Sequence, residues 1–379
     1  MPSLTAAEFK EIKSNYQSDP LRSSSIDVSC YLEPRFEAID RCAVFHRSWQ
    51  YLCHAEKVRH GGQYVAANLF GKSIVVVRGN DGALRAFYNV CRHRAHELLS
   101  GEGQLQQIVC PYHAWTYHLD GTLKRAPRTN YIEQFDQNEI CLNHIQAEIF
   151  CGLVFVNMDP DAETLVSQSG NLAHEINEYA PGIDQLTFAH RLTYQVEANW
   201  KTVADNFLEC CHCPIAHKDF CSLVDMNTYQ VKTHGIYSSH MAKAGLTPNR
   251  AYDVTDASVT DHAVWFLWPN TTLMRYPGRG NFMVWRFSPV GPEQTYEEFD
   301  FFFETADPNK AEQEAIRFVD EVLQVEDIGL VESVQRGMRS GDFKSGRYMI
   351  DPEGSGLSEH AVHHFHGLVL DAYSKIVDS

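Results

Sequence analysis

No apolar run in the sequence approaches the roughly 20 residues that a membrane-spanning helix requires. The first residues, Met1 to Ser25, are polar and charged and lack both the basic segment and the apolar segment of a secretory signal. The chain is therefore expected to be cytoplasmic and not to engage a membrane. It is also short of positive charge: the formal net charge is -17, and no cluster of Lys and Arg interleaves with aromatics. A polyanion-binding surface needs the opposite balance, so nucleic acid is not an expected partner. The acidic excess itself is read as a solvated face. No Gly-rich dinucleotide fingerprint follows a strand, no C-x4-C-x2-C ferredoxin run is present, and there is no internal repeat or low-complexity tract. The cysteines, eleven in number and partly clustered at Cys210, Cys211 and Cys213, do not read as a secreted disulfide framework. Metal ligation and free buried thiols are the expected uses.

What is present divides in two. Phe9, Ile12 and Tyr16 sit at helical spacing within a first helix over residues 5 to 17. From about Ser48 to Met158 the chain offers short apolar or alternating runs, among them Ser73 to Val77, Ala86 to Val90, Ile108 to Cys110, Trp115 to Tyr117 and Ile149 to Asn157. Turn signals at Gly61-Gly62, Asn80-Asp81-Gly82 and Asp120-Gly121 separate them. That pattern predicts a small all-β domain. Beyond Asp161, helices are predicted over Asn171–Tyr179, Trp200–Cys211, Asn309–Leu323 and Asp327–Met338, and strands over Arg191–Glu197, Val264–Trp268, Asn281–Phe287 and Tyr296–Glu304. The expected class is α+β. The expected division is an N-terminal helical segment over 1–42 packing on the catalytic domain, a β-domain over 43–160 and a catalytic domain over 161–379.

Two constellations carry chemistry. In CRHRAHELLSGEGQLQQIVCPYHAWTY, Cys91-x-His93 and Cys110-x-x-His113 stand with sixteen residues between them. Each half supplies one thiolate and one imidazole, the ligand set of a Rieske [2Fe-2S] centre, in which one iron takes two Cys and the other two His. The competing reading is a Cys2His2 zinc site, but zinc motifs usually keep like ligands together, whereas each half here is mixed. Exchanging thiolate for imidazole raises the potential to about -150 to +300 mV, against about -400 mV for plant-type ferredoxins. Such a centre receives electrons from a low-potential donor.

In NWKTVADNFLECCHCPIAH, Glu209, His212 and His217 follow E-x-x-H-x-x-x-x-H. On a continuous helix Asp205, Glu209 and His212 would share a face, and Pro214 would break that helix so that His217 turns toward the same metal. Two neutral imidazoles and one carboxylate make the facial triad of non-haem iron(II) oxygenases. Spacing alone leaves the carboxylate open between Glu209 and Asp327, the latter in QVEDIGLVESVQRG ahead of Glu332 and Gln335. Asp205 and Glu209 also suit a supporting role, orienting the histidines.

Taken together, CRH, CPYHAWTY, NWKTVADNFLECCHCPIAH and EDIGLVESVQRG resemble the oxygenase α subunits of Rieske non-haem iron oxygenases. The likeness is greatest to the branch of carnitine and choline monooxygenases, from about residue 40 to about residue 370. The resemblance implies a Rieske domain joined to a helix-grip catalytic domain with an antiparallel sheet. It implies Cys91, His93, Cys110 and His113 on the cluster and His212, His217 and Asp327 on a mononuclear Fe(II). Glu209, with Asp205 beside it, becomes the catalytic carboxylate, bridging toward His113 of a neighbouring subunit in a homotrimer. Most of the family has Asp at that bridge, and Glu is similar to the carnitine-oxidising branch. Phe207 and Cys211 stand where that branch usually shows tyrosines.

The implied activity is O2-dependent oxidation of a quaternary ammonium compound of carnitine, betaine or choline type, with electrons from a separate NAD(P)H-dependent flavin and iron-sulfur reductase. Aromatics in VWFLWPNTTLMRYPG and NFMVWRF, including Trp265, Phe266, Trp268 and Tyr276, either line a cation-binding cage or are ordinary core residues. Arg275 is read as a surface ion pair in preference to a substrate contact. An aromatic-ring hydroxylase is the runner-up, and a non-catalytic iron-sulfur carrier the alternative from a different class.

Overall fold

A computed structural model describes residues 2–245 and 248–378. The chain forms two compact units, one of His46–Ser167 and the other of the chain up to Phe45 together with that from Gln168 onward.

The unit His46–Ser167 is built on a seven-stranded antiparallel sheet. Its strand order is Gln50–His54, Leu153–Asn157, His144–Phe150, Leu84–Tyr88, Lys72–Arg78, Gln63–Leu69 and Glu102–Gln104. The run Ile74-Val75-Val76-Val77 lacks the polar alternation of a half-exposed strand because both of its faces are covered. Ile74 and Val76 join a core with Val58, Val154 and Val156. Val75 and Val77 join another with Phe87, Cys91, Cys110 and Tyr117. A small second sheet of Ile108–Val109, Thr116–Tyr117 and Leu123–Arg125 carries that tyrosine. Its Asp120-Gly121 turn demands glycine: Gly121 has φ +89°, and a Cβ there would lie 2.6 Å from the Phe87 ring.

The other unit is organised by a second seven-stranded antiparallel sheet. It runs Thr187–Val196, Gln294–Phe303, Phe282–Gly291, Thr271–Arg275, His262–Leu267, Tyr237–Ala242 and Gln230–His234. The last two strands, Thr271–Arg275 and the C-terminal helix His360–Ser374 are additions to the elements expected from the sequence. The first helix is shorter than expected, Ala6–Ile12, opened by a capping box between Thr5 and Glu8. The two predicted helices after Asn309 form one run: Lys310–Phe318 passes through a π-turn, Val319–Leu323, into Gln324–Met338.

Helix Trp200–Phe207 is held by a buried polar cluster around Asp40. Lys201 and Asp40 are 0% and 1% exposed and form an ion pair. Trp200 Nε1 donates to Asp40 at 2.8 Å, and the Tyr373 hydroxyl donates to the other Asp40 oxygen. The ammonium also lies 4.9 Å from the Trp200 ring. At the N-cap, Asn199 accepts from Lys201 N, donates through Nδ2 to Tyr31 O and Pro292 O, and donates its own N–H to Gln335 Oε1 at 2.9 Å. N-terminal segment, sheet turn, long helix and C-terminal helix are thus tied to one point.

Breaking one partner of a buried pair strands the other charge. Asp40→Ala is expected to lower unfolding free energy by about 3–5 kcal/mol, read as a reduced urea midpoint, and the Asp40→Leu/Lys201→Met pair is expected to recover only the part due to the stranded ammonium, since Trp200 Nε1 and the Tyr373 hydroxyl still lose their acceptor. A shift under about 1 kcal/mol for Asp40→Ala would mean that the cluster is not the anchor described.

Candidate metal centres

The two Cys-His loops of His46–Ser167 repeat one backbone design despite their different spacing. Cys91 N–H donates to His96 O at 2.9 Å and Cys110 N–H to Trp115 O at 2.8 Å. Ala95 N–H and Ala114 N–H return to the cysteine carbonyls, each at 3.0 Å. Both alanines take positive φ, +54° and +55°. The turns hold the sulfurs inward and the imidazoles outward: Cys91 and Cys110 are 3% and 2% exposed, whereas His93 and His113 are exposed. The two imidazole centroids are 4.7 Å apart, and His93 stacks on Trp115 at 4.9 Å.

Tyr117, to which sequence reasoning assigned no role, places its hydroxyl 3.2 Å from Cys91 Sγ and accepts Arg92 N–H at 3.0 Å. Its signal was its place four residues after His113. Burial pushes the Cys91 thiol up, against the lowering contact with Tyr117. An unligated thiolate is thus disfavoured where a metal would stabilise one. Buried sulfur paired with exposed imidazole is the donor polarity that a mixed-ligand two-iron cluster fits.

The expected helix through Cys211 ends instead at Phe207. The Glu209 carboxylate accepts the N–H groups of Cys211 and His212, and Cys210 and Cys213 are joined as a disulfide, the remaining cysteines not being disulfide-bonded. That disulfide corrects the expectation of free thiols for this pair. Pro214 does not break the long helix; it opens a new short one, Cys213–Ala216, between the two histidines. The turn brings His212 Nε2 within 3.0 Å of His217 Nε2, and Asp327 Oδ1 lies 3.0 Å from the latter and 3.7 Å from the former. These three side chains offer donors within 4.8 Å of one another.

The opposite ring edges are held by carboxylates. Glu209 Oε1 is 2.5 Å from His212 Nδ1 and Glu326 Oε2 is 2.8 Å from His217 Nδ1, which leaves both Nε2 atoms free to ligate. Glu326 was missed in the sequence, although it is Asp327's neighbour. Burial alone would push His217 down, but Asp327 and Glu326 outweigh it and raise it to about 9, so a metal entering here displaces a proton. Asp205 does not share this environment. The helix ends before Glu209, and the Asp205 carboxylate is held by Tyr31 OH at 2.7 Å and His366 Nε2 at 2.9 Å, with no hydrogen bond to His212 or His217.

Beside the triad lies a cavity of about 130 Å³. Its walls include Phe207, Tyr229, Met283, Trp285 and Phe299, together with the buried carboxyl of Glu297. Phe207 and Trp285 centroids are 5.1 Å apart and Trp285 and Phe299 are stacked at 5.2 Å. Trp265, Phe266, Trp268 and Tyr276 are buried but absent from this wall, and Trp265 Nε1 donates to Glu175. Arg275 is neither at the surface nor at the cavity; it is 7% exposed, with Nη1 on Asn281 O at 2.7 Å. Cys211 faces away too, its thiol on Leu357 O.

Residues 48–136 match the Rieske [2Fe-2S] domain, and residues 183–375 match the ring hydroxylating alpha subunit (catalytic domain). The chain is 36% identical over 363 residues to the carnitine monooxygenase oxygenase subunit of Escherichia coli (strain K12), covering 95% of this chain and 96% of the relative. It is 31% identical over 343 residues to the chloroplastic choline monooxygenase of Beta vulgaris, covering 89% and 74%. The solved structure of the quaternary ammonium Rieske monooxygenase CntA with L-carnitine superposes with a TM-score of 0.85 at 32% identity, over 95% of this chain and 98% of that one. No helix among the described residues is long and apolar enough to cross a membrane. With both family models in order along one chain and relatives matched over nearly all of it, this protein belongs to the Rieske non-haem iron monooxygenases, enzymes of one [2Fe-2S] cluster and one mononuclear iron.

Proposed function

We propose that the chain is the oxygenase component of a two-component system that oxidises a quaternary ammonium compound of carnitine, betaine or choline type. The observation that carries this reading is the aromatic cavity, with Phe207, Trp285 and Phe299 on its walls, next to the His212, His217 and Asp327 donors. Relatives named for carnitine and choline oxidation support it. Each desolvated ring facing a cation contributes ~0.5–2 kcal/mol. The same apolar wall favours a second reading, hydroxylation of an aromatic ring.

Cys91, His93, Cys110 and His113 are assigned to the cluster and His212, His217 and Asp327 to the iron. When bound, these groups supply single electrons and O2 activation beside a C–H bond. Tyr117 tunes the sulfur side through its contact with Cys91. Glu209 and Glu326 hold the imidazoles with Nε2 directed inward. Electrons come from a separate NAD(P)H-dependent reductase, since no dinucleotide or ferredoxin motif occurs in the sequence. In a homotrimer, a head-to-tail interface would bring His113 of one subunit to Glu209 of the next; full activity in a sedimenting monomer would refute that route.

The reading is tested by O2 and NAD(P)H consumption with a surrogate reductase over a panel of betaines, choline and arenes, with products quantified. Coupled oxidation of an arene and of no ammonium compound would overturn it. Glu209→Gln is expected to retain both metals by metal analysis and EPR while coupled product formation falls by about 10–100-fold or more; undiminished product would remove Glu209 from the bridging role. Tyr117→Phe is expected to lower the cluster's midpoint potential in an EPR-monitored redox titration, because loss of a hydrogen bond to sulfur stabilises the oxidised state. An unchanged potential would leave Tyr117 a packing residue.

A further inference from the structure

Along strand Gln294–Phe303 the acidic side chains meet different fates. Glu298 and Asp300, on one face of the strand, pair with Arg191, and Glu298 also with Arg286. Glu297, on the alternate face with Phe299, points into the cavity beside the metal donors. It is 2% exposed. Gln324 Nε2 donates to its Oε2, and no Lys or Arg among the described residues pairs with it. With one amide donor and aromatic walls around it, a charged carboxylate here lacks a counter-charge.

That counter-charge is not supplied by the described residues. No Lys or Arg lines the cavity among the described residues; its carboxylates are Glu209, Glu297 and Asp327. A divalent ion at the triad is already matched by Asp327 and Glu209, with Glu326 behind His217, so Glu297 remains in excess. A quaternary ammonium is a fitting counter-charge. It has no N–H to donate, its charge is spread over methyl groups, and it can contact a carboxylate and aromatic faces together. A zwitterion would bring a second carboxylate into a cavity without a cation to receive it.

We propose that Glu297 is the charge-recognition residue of this cavity, its carboxylate pairing with the ammonium head of the substrate, so that a net cation of choline type is selected over a zwitterion of similar size. This rests on the quaternary ammonium reading above. Binding to the iron-loaded, cluster-containing protein is measured anaerobically by calorimetry with three probes: choline, carnitine, and 3,3-dimethylbutan-1-ol, the neutral carbon isostere of choline. The wild type is expected to bind choline more tightly than carnitine. E297Q is expected to weaken choline by at least about tenfold while leaving the alcohol unchanged or tighter, and E297D to recover much of the loss. In turnover the effect is expected in KM for choline rather than in kcat.

Equal weakening of choline and the alcohol, or no change in either, makes Glu297 a structural acid and overturns the proposal. Carnitine preferred over choline by the wild type overturns the selection of a net cation. If the wild type instead oxidises an arene with tight coupling and binds none of the three probes, the ammonium reading itself fails, and Glu297 loses its assigned ligand with it.

Discussion

A carboxylate and an ammonium removed from water, Asp40 and Lys201, hold the start of helix Trp200–Phe207, and the geometry downstream follows from where that helix begins. Such a pair gives little net stability, because desolvation offsets most of the Coulomb gain. Its effect is positional. Asp40 also accepts from Trp200 and Tyr373, and the adjacent Asn199 cap joins Tyr31, Pro292 and Gln335. Gln335 lies on the same helix as Asp327, so Asp327 and helix Trp200–Phe207, which leads to His212, share a reference point about two helical turns from Asp327.

From that point the site is made by departures from regular helix. About two turns after the anchor, the backbone leaves the helix at Phe207 and the Glu209 carboxylate accepts the N–H groups of Cys211 and His212 beyond it. On the opposing element, the π-turn Val319–Leu323 shifts the register just ahead of the acids. Successive residues on a helix diverge by about 100°, yet Glu326 and Asp327 both reach His217. They can do so because the imidazole lies across the helix face and presents a different nitrogen to each. Carboxylates on the far ring edges also favour the proton on Nδ1, the choice that a metal held through both Nε2 atoms would require.

The Cys-His pairs and the Glu209, His212 and His217 run were legible as candidates because their spacing is local, whereas Asp327, 110 residues from His217, was left open by spacing and named by resemblance. C-x-H, C-x-x-H and E-x-x-H-x-x-x-x-H each close within a few residues, and the apolar run at Ile74–Val77 reads as a strand at once. What stayed hidden was set by tertiary contacts. Asp205, Glu209 and His212 share a face only on a continuous helix, and the backbone stops being one where Glu209 caps its own turn. Trp265 and Trp285 lie on strands equally rich in aromatics, and which one faces the cavity depends on sheet register. The C-terminal helix did carry a signal, with Val362, Phe365, Val369 and Tyr373 at helical spacing, masked by four histidines. Glu297 and Glu298 are adjacent letters with opposite environments, which only the pleat of the strand distinguishes.

That last pair also bears on how substrate class is encoded. A wall of Phe207, Trp285 and Phe299 suits an arene as well as a methylated ammonium, since each ring adds only ~0.5–2 kcal/mol for a cation over ordinary apolar contact. A buried carboxylate is different in kind: it is costly beside a neutral ring and favourable beside a cation, so its energy changes sign between the two ligand classes. Discrimination therefore falls to a single residue in the wall and not to the number of aromatics around it. The strand pleat that turns Glu297 inward, one residue from the arginine-paired Glu298, is the structural basis of that choice.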